Sequence, residues 1–119
     1  MLDPRIFENL ELVGGFLIVE ISFTSDPILD ALDREAVAKT RIIGSRFTIT
    51  LKTGMVDEQM SVSLYHEILE AATVAATNPP RIVEDFTEAD FEAAAIAAHK
   101  KWGLVSCDNL NRMLQSFGF

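Results

Sequence analysis

The sequence predicts an α+β domain, a small sheet with packed helices and three consecutive helices in the C-terminal half. Two observations lead there. The strand signals all end by Lys52, and after the Thr53-Gly54 pair the pattern is helical throughout, with apolar residues recurring at spacings of three and four. No repeat, low-complexity tract or Pro/Gly/Ser-rich linker divides the 119 residues, so residues 1–119 form one domain. Strands followed by a run of helices, rather than strict alternation, make the class α+β.

Element by element, the expected order is α/β/α/β followed by three helices. Gly15 to Phe23 is the longest apolar strand signal, and its near-continuous hydrophobicity suggests a central strand covered on both faces. A turn at Thr24–Pro27 leads into Ile28–Lys39, which reads as a short helix with acids early and Lys39 late. Ile42 to Lys52 reads as one or two strands, with Phe47, Ile49 and Leu51 on one face and Thr48 and Thr50 on the other. Ser61 to Thr77 is a helix stopped by Asn78-Pro79-Pro80. Thr87 caps the next helix, with Asp90 three residues on and Phe86 before the cap; it runs to Trp102 and stops at Gly103. A last helix starts near Ser106 and aligns Leu110, Met113, Leu114 and Phe117. The apolar end, Ser116 to Phe119, reads as a tail covering the core.

Composition excludes several classes. Hydrophobic residues make up 49% of the chain, too many for intrinsic disorder. Eighteen acids against ten Lys and Arg give a net charge of −8, which opposes binding to nucleic acid or an anionic membrane, since both need a basic footprint. No apolar stretch approaches the ~20 residues that span a bilayer, and Met1 to Arg5 lacks a signal-peptide pattern. The single Cys107 excludes an internal disulfide framework and a cysteine-cluster metal site. The expectation is a soluble cytoplasmic domain. Gly14-Gly15 precedes a strand instead of following one, so it is no phosphate loop.

The acid excess is uneven. Thr53 to Pro80 holds no Lys or Arg, yet it contains Asp57, Glu58, Glu67 and Glu70. On the helix wheel His66 and Glu70 share a face, four residues apart, and Glu67 points about 100° away on the same polar side. A polar arc of this kind is ordinarily just solvated. A face built for water, however, normally mixes in Lys or Arg, whereas an acid-only face on an Ala-rich helix suggests a cation. The next helix carries Glu88, Glu92 and His99 on one narrow stripe beside Phe91, Ala95, Ala98 and Trp102. Packing of the two helices would bring a carboxylate toward His66 and Glu70.

His66-Glu67-x-x-Glu70 resembles the His-Glu-x-x-His helix of zincins. Arg46-Phe-Thr-Ile-Thr-Leu-Lys52, a polar turn, and Ser61-Val-Ser-Leu-Tyr-His-Glu67 resemble the strand–turn–helix entry of ImmA/IrrE-type metallopeptidases, and Glu92-Ala-Ala-Ala-Ile-Ala-Ala98 resembles that family's Glu-Ala-Asn-x-Phe-Ala-Ala segment. The likeness spans Arg46 to Ala98. It implies His66, Glu70 and Glu92 as metal ligands, with Glu88 as a substitute for Glu92. It also implies Glu67 as general base on metal-activated water and His99 as a donor behind the ligands or toward the transition state. Glu70 stands where the family has its second histidine. One imidazole with two carboxylates is a harder ligand set than zinc prefers, which shifts preference toward manganese or iron(II), weakens binding, or leaves a fold without metal or activity. The resemblance therefore implies a metal-dependent peptidase acting on a peptide or protein. The alternative is a non-catalytic acidic interaction module, acting as a homo-oligomer or binding a basic partner.

Overall fold

In the computed structural model, which describes every residue except Ala31, two 3-10 turns (Pro4–Phe7 and Val13–Gly15), six strands and three α-helices follow one another. The strands are β1 (Leu10–Leu12), β2 (Phe16–Thr24), β3 (Ile28–Leu29), β4 (Glu35–Ala36), β5 (Ala38–Ile43) and β6 (Arg46–Lys52). The helices are α1 (Asp57–Ala75), α2 (Glu88–Trp102) and α3 (Cys107–Ser116). The α+β class and the three C-terminal helices are as the sequence predicts. Among the described residues no α-helix precedes Asp57, so the two helices expected in the first forty residues are absent.

The segment from Ile28 to Lys39 shows why. Asp30 competes for the backbone: its carboxylate accepts the amides of Leu32 (2.8 Å) and Arg34 (2.9 Å) and the Arg34 Nε (2.9 Å). These bonds fold a turn in which Asp33 takes a left-handed φ of 59°, and Leu29 pairs with Glu35 across it. Short acidic side chains favour such turns over helix interiors. Ala31 lies outside the described residues. The chain then enters β5, four residues before the strand start expected at Ile42.

The main sheet has the order β1-β2-β6-β5, with β2 and β6 parallel and the outer pairs antiparallel. β5 is thus an edge strand. Gly44, at φ 62°, takes the first position of the two-residue β5–β6 loop, where positive φ suits the hairpin twist. Phe47, Ile49 and Leu51 are fully buried, and Phe16, Ile18 and Ile21 join them beneath the helices. β2 is central as expected, but helices cover only one face. Leu17, Val19 and Ser22 on its other face are half-buried, and Lys39, Arg41 and Arg46 on the neighbouring strands are exposed.

Helix α1 starts four residues earlier than its apolar periodicity suggests. Asp57 and Glu58 occupy its first turn, where carboxylates favour the helix dipole, and the Gln59 side chain accepts the Val56 amide. The capping prediction at Thr87 holds. Thr87 Oγ1 accepts the Asp90 amide and Asp90 Oδ2 accepts the Thr87 amide at 2.9 Å, while Phe86 packs on Phe91 at 5.3 Å across the cap. Gly103, at φ 85°, ends α2, and Ser106 caps α3. The tail covers the core as expected: Phe119 meets Phe16 at 5.8 Å and Phe117 meets Phe86 at 5.9 Å. No helix among the described residues is long and apolar enough to cross a membrane.

Candidate functional site

Helices α1 and α2 run antiparallel, as their cross-contacts show: His66 faces Glu88 and Glu92, while Ser61, upstream on α1, meets His99, downstream on α2. This places the polar stripe of each helix against the other. His66 stands at the centre with its side chain 14% exposed. Its Nδ1 lies 3.0 Å from Glu92 Oε1. Its Nε2 lies 3.0 Å from Glu88 Oε2, 3.4 Å from Glu70 Oε2 and 4.0 Å from Glu67 Oε2. Four carboxylates from two helices surround one imidazole.

These groups line a cavity of about 660 Å³ between the helix pair and the start of β5. Lys39 is the one Lys or Arg among its lining residues, against six acids. Thr40 of β5 reaches in and donates from Oγ1 to Glu67 Oε1 at 2.9 Å. Thr40 escapes the sequence pattern, because it falls between the helix expected over Ile28–Lys39 and the strand expected from Ile42. With Lys39 and Arg41 exposed on either side, alternation from Ala38 onward is the signal that finds it.

Burial pulls the His66 pKa down, but the hydrogen bonds of Glu70 and Glu92 and the charges of Glu67 and Glu88 outweigh it and raise it to about 9. Both ring nitrogens then carry protons near neutrality, donating to Glu92 on one side and to Glu88 and Glu70 on the other. Glu88 is pushed up to about 7, chiefly because it shares a proton with Glu70 and also through burial. Glu70 moves the other way, held ionised by His66. Burial raises Glu67 against the opposing Thr40 hydrogen bond.

No family model, curated protein or solved structure matches the chain. His66, Glu70 and Glu88 each offer one ligand atom, all within 4.8 Å of one another. Ligand atoms around a tetrahedral ion with bonds of about 2.1 Å stand roughly 3.4 Å apart, so the 3.0 Å and 3.4 Å separations on Nε2 fit a small divalent cation with little rearrangement. Glu92 occupies the other ring nitrogen. It is the carboxylate that would orient the imidazole, a usual partner of a metal-bound histidine. Of the two carboxylates on the α2 stripe, Glu88 thus joins the three-residue group and Glu92 stands behind the ring.

His99 is not brought into this constellation. Its Nδ1 meets Ser61 Oγ at 2.8 Å, and the fully buried Ser61 also accepts the Val105 amide at 2.8 Å. The resemblance had implied a role for His99 behind the ligands or at the transition state. In the structure it ties the end of α2 to Ser61 of α1, which also holds the α2–α3 connection through the Val105 amide.

Proposed function

We propose that the chain is a metal-dependent hydrolase of peptide bonds, organised as the zincin resemblance implies but with a carboxylate-rich ligand set. The observation that carries the reading is the convergence of His66, Glu70 and Glu88 on the cavity floor, with Glu67 beside them. A divalent cation held there would polarise a carbonyl and lower the pKa of water. The chain's residues supply the rest. Glu92, on Nδ1, fixes the ring so that Nε2 faces the ligand position. Thr40 occupies one oxygen of Glu67 and leaves Oε2 toward the cluster. Burial makes that carboxylate a better base, suited to take a proton from the attacking water and deliver it to the departing amine. The edge strand β5 borders the cavity, and an extended peptide can add to such an edge through main-chain hydrogen bonds. The strand–turn–helix order of β6 and α1 agrees with the segment on which the resemblance rests.

Equilibration with zinc, manganese and iron(II), followed by metal analysis of the wild type and of His66→Ala, tests the proposal. Near-stoichiometric metal in the wild type, lost in His66→Ala, is expected. Glu67→Gln is expected to keep the metal and lose at least about 100-fold in peptide hydrolysis. Failure of the wild type to hold any of the three metals would refute the reading. One observation favours the non-catalytic alternative: both N–H groups of a protonated His66 already have carboxylate partners, so the cluster is closed as an internal ion group. On that reading Glu67→Gln changes no activity, and the acidic surface binds a basic partner with salt-sensitive affinity.

A further inference from the structure

Beside the main cavity, toward the start of α1, opens a second cavity of about 310 Å³. The two share Val37, Ser63 and Glu92, so they form one branched cleft. The branch has apolar walls: Val37 and Ile96 are half exposed, and Met55 and Val62 are half-buried. Val62 and Ile96 each lie one helical turn from the cluster, four residues from His66 and from Glu92. Glu58 lies a further turn up the same stripe of α1, about 12 Å along the axis from His66, and is among the residues that line the branch. Among the described residues Glu58 makes no salt bridge or side-chain hydrogen bond, and no Lys or Arg lines the branch.

An aliphatic wall with a carboxylate at its far end matches one kind of side chain. A Leu or Phe would fill the walls but make no use of the unpaired Glu58 at the end of the branch. Lys or Arg can lay an apolar stem along Val37, Val62 and Ile96 and bring a cationic head to Glu58. An acidic side chain would meet repulsion throughout.

We propose that this branch is a subsite for a lysine or arginine side chain of an extended peptide, positioned one residue or so from the bond held over His66, with Glu58 as its charge partner. The inference rests on the peptide-hydrolase reading and gives it a substrate class, basic peptides.

Binding, rather than turnover, provides the test. The full chain, with chelator present, is titrated in low salt with capped alanine-rich hexapeptides carrying one lysine, norleucine or glutamate, and followed by NMR. The lysine peptide is expected to shift the amides of Met55, Val62 and Ile96 and to bind roughly two- to fivefold tighter than the norleucine peptide, the range of one exposed ion pair. Glu58→Gln should abolish that preference and Glu58→Lys reverse it, whereas Glu84→Lys, with the same change in net charge outside the branch, should keep it. Equal or tighter binding of norleucine, or retention of the preference in both Glu58 variants, would overturn the proposal. Metal analysis separates the two readings. A wild type that holds none of the three metals yet still prefers lysine supports the subsite while removing the hydrolase. A wild type that holds manganese but treats lysine and norleucine alike removes the subsite alone.

Discussion

Without metal, the chain should lose stability as pH rises from 6.5 to 9, and His66 is the reason. Its folded pKa, about 9, lies above the ordinary 6.5, so the folded state binds the proton more tightly than the unfolded chain. The stabilisation is complete below pH 6.5 and disappears as pH rises through 9. A shift of that size corresponds to about 3 kcal/mol without screening. Two of the four partners, Glu88 and Glu92, have side chains 64% and 52% exposed, so solvent screening leaves about 1–2 kcal/mol. For a domain of this length that is a melting shift of about 3–8 °C. Glu88 acts with the same sign in a lower window, because its pKa is also raised, to about 7; its part falls away between pH 4.5 and 7.

The assay is thermal unfolding by circular dichroism in excess chelator at half-unit steps from pH 6 to 9.5, for the wild type and His66→Gln. The wild type should lose stability over the upper window and the variant should show little slope there. A flat wild-type profile, or equal slopes in the two proteins, would refute the account of the cluster. A bound divalent cation reverses the trend. It competes with the protons on His66 and on the Glu70–Glu88 pair, so metal affinity should climb over the same pH range.

Three further outcomes follow from the geometry. Glu88→Gln should weaken metal binding more than Glu92→Gln, whose loss should stay within about 10–100-fold as for a carboxylate behind a ligand; isothermal titration with zinc or manganese compares them, and the opposite order would restore Glu92 as the third ligand. Ser61→Ala should cost about 1–3 kcal/mol in denaturant unfolding, because the Val105 amide loses its buried acceptor, yet leave metal content unchanged; loss of metal would tie His99 to the site. Thr87→Ala should cost about 1 kcal/mol by removing the α2 cap, again measured in denaturant.

Where local chemistry decides the structure, the sequence was legible. Phe86, Thr87 and Asp90 define the start of α2 through contacts within six residues of one another, and the alternation of Phe47, Ile49 and Leu51 defines the buried face of β6. The failures come from competition that periodicity does not register. Acids early and a lysine late made Ile28–Lys39 look helical, but the Asp30 carboxylate binds the amides such a helix would need. β2 is apolar enough for two covered faces, yet with helices on one side only Leu17 and Val19 remain half-buried. In the site, the helix wheel correctly placed His66 and Glu70 on one face and Glu88 and Glu92 on another. It could not choose between Glu88 and Glu92, because they lie one turn apart and the choice depends on how far α2 slides along α1. His99 shares their stripe but sits two turns beyond Glu92, which carries it past the cluster to Ser61.

The arrangement also bears on why a fold would keep such a cluster. Glu67 is desolvated, Glu70 and Glu88 are close enough to share a proton, and one imidazolium must balance four carboxylates. A chain selected for stability alone gains little from grouping acids in this way, since surface ion pairs contribute modestly and crowded like charges oppose folding. Natural sequences break local rules mainly where function requires it. The conflicts here share one remedy. A divalent cation held by His66, Glu70 and Glu88 would take the place of the ring proton and supply counter-charge to both carboxylates, while Glu92 would keep its hydrogen bond to Nδ1. Such a replacement would relieve the crowding of Glu70 and Glu88 around the ring, which is the physical argument for the metal-dependent reading over the closed ion group.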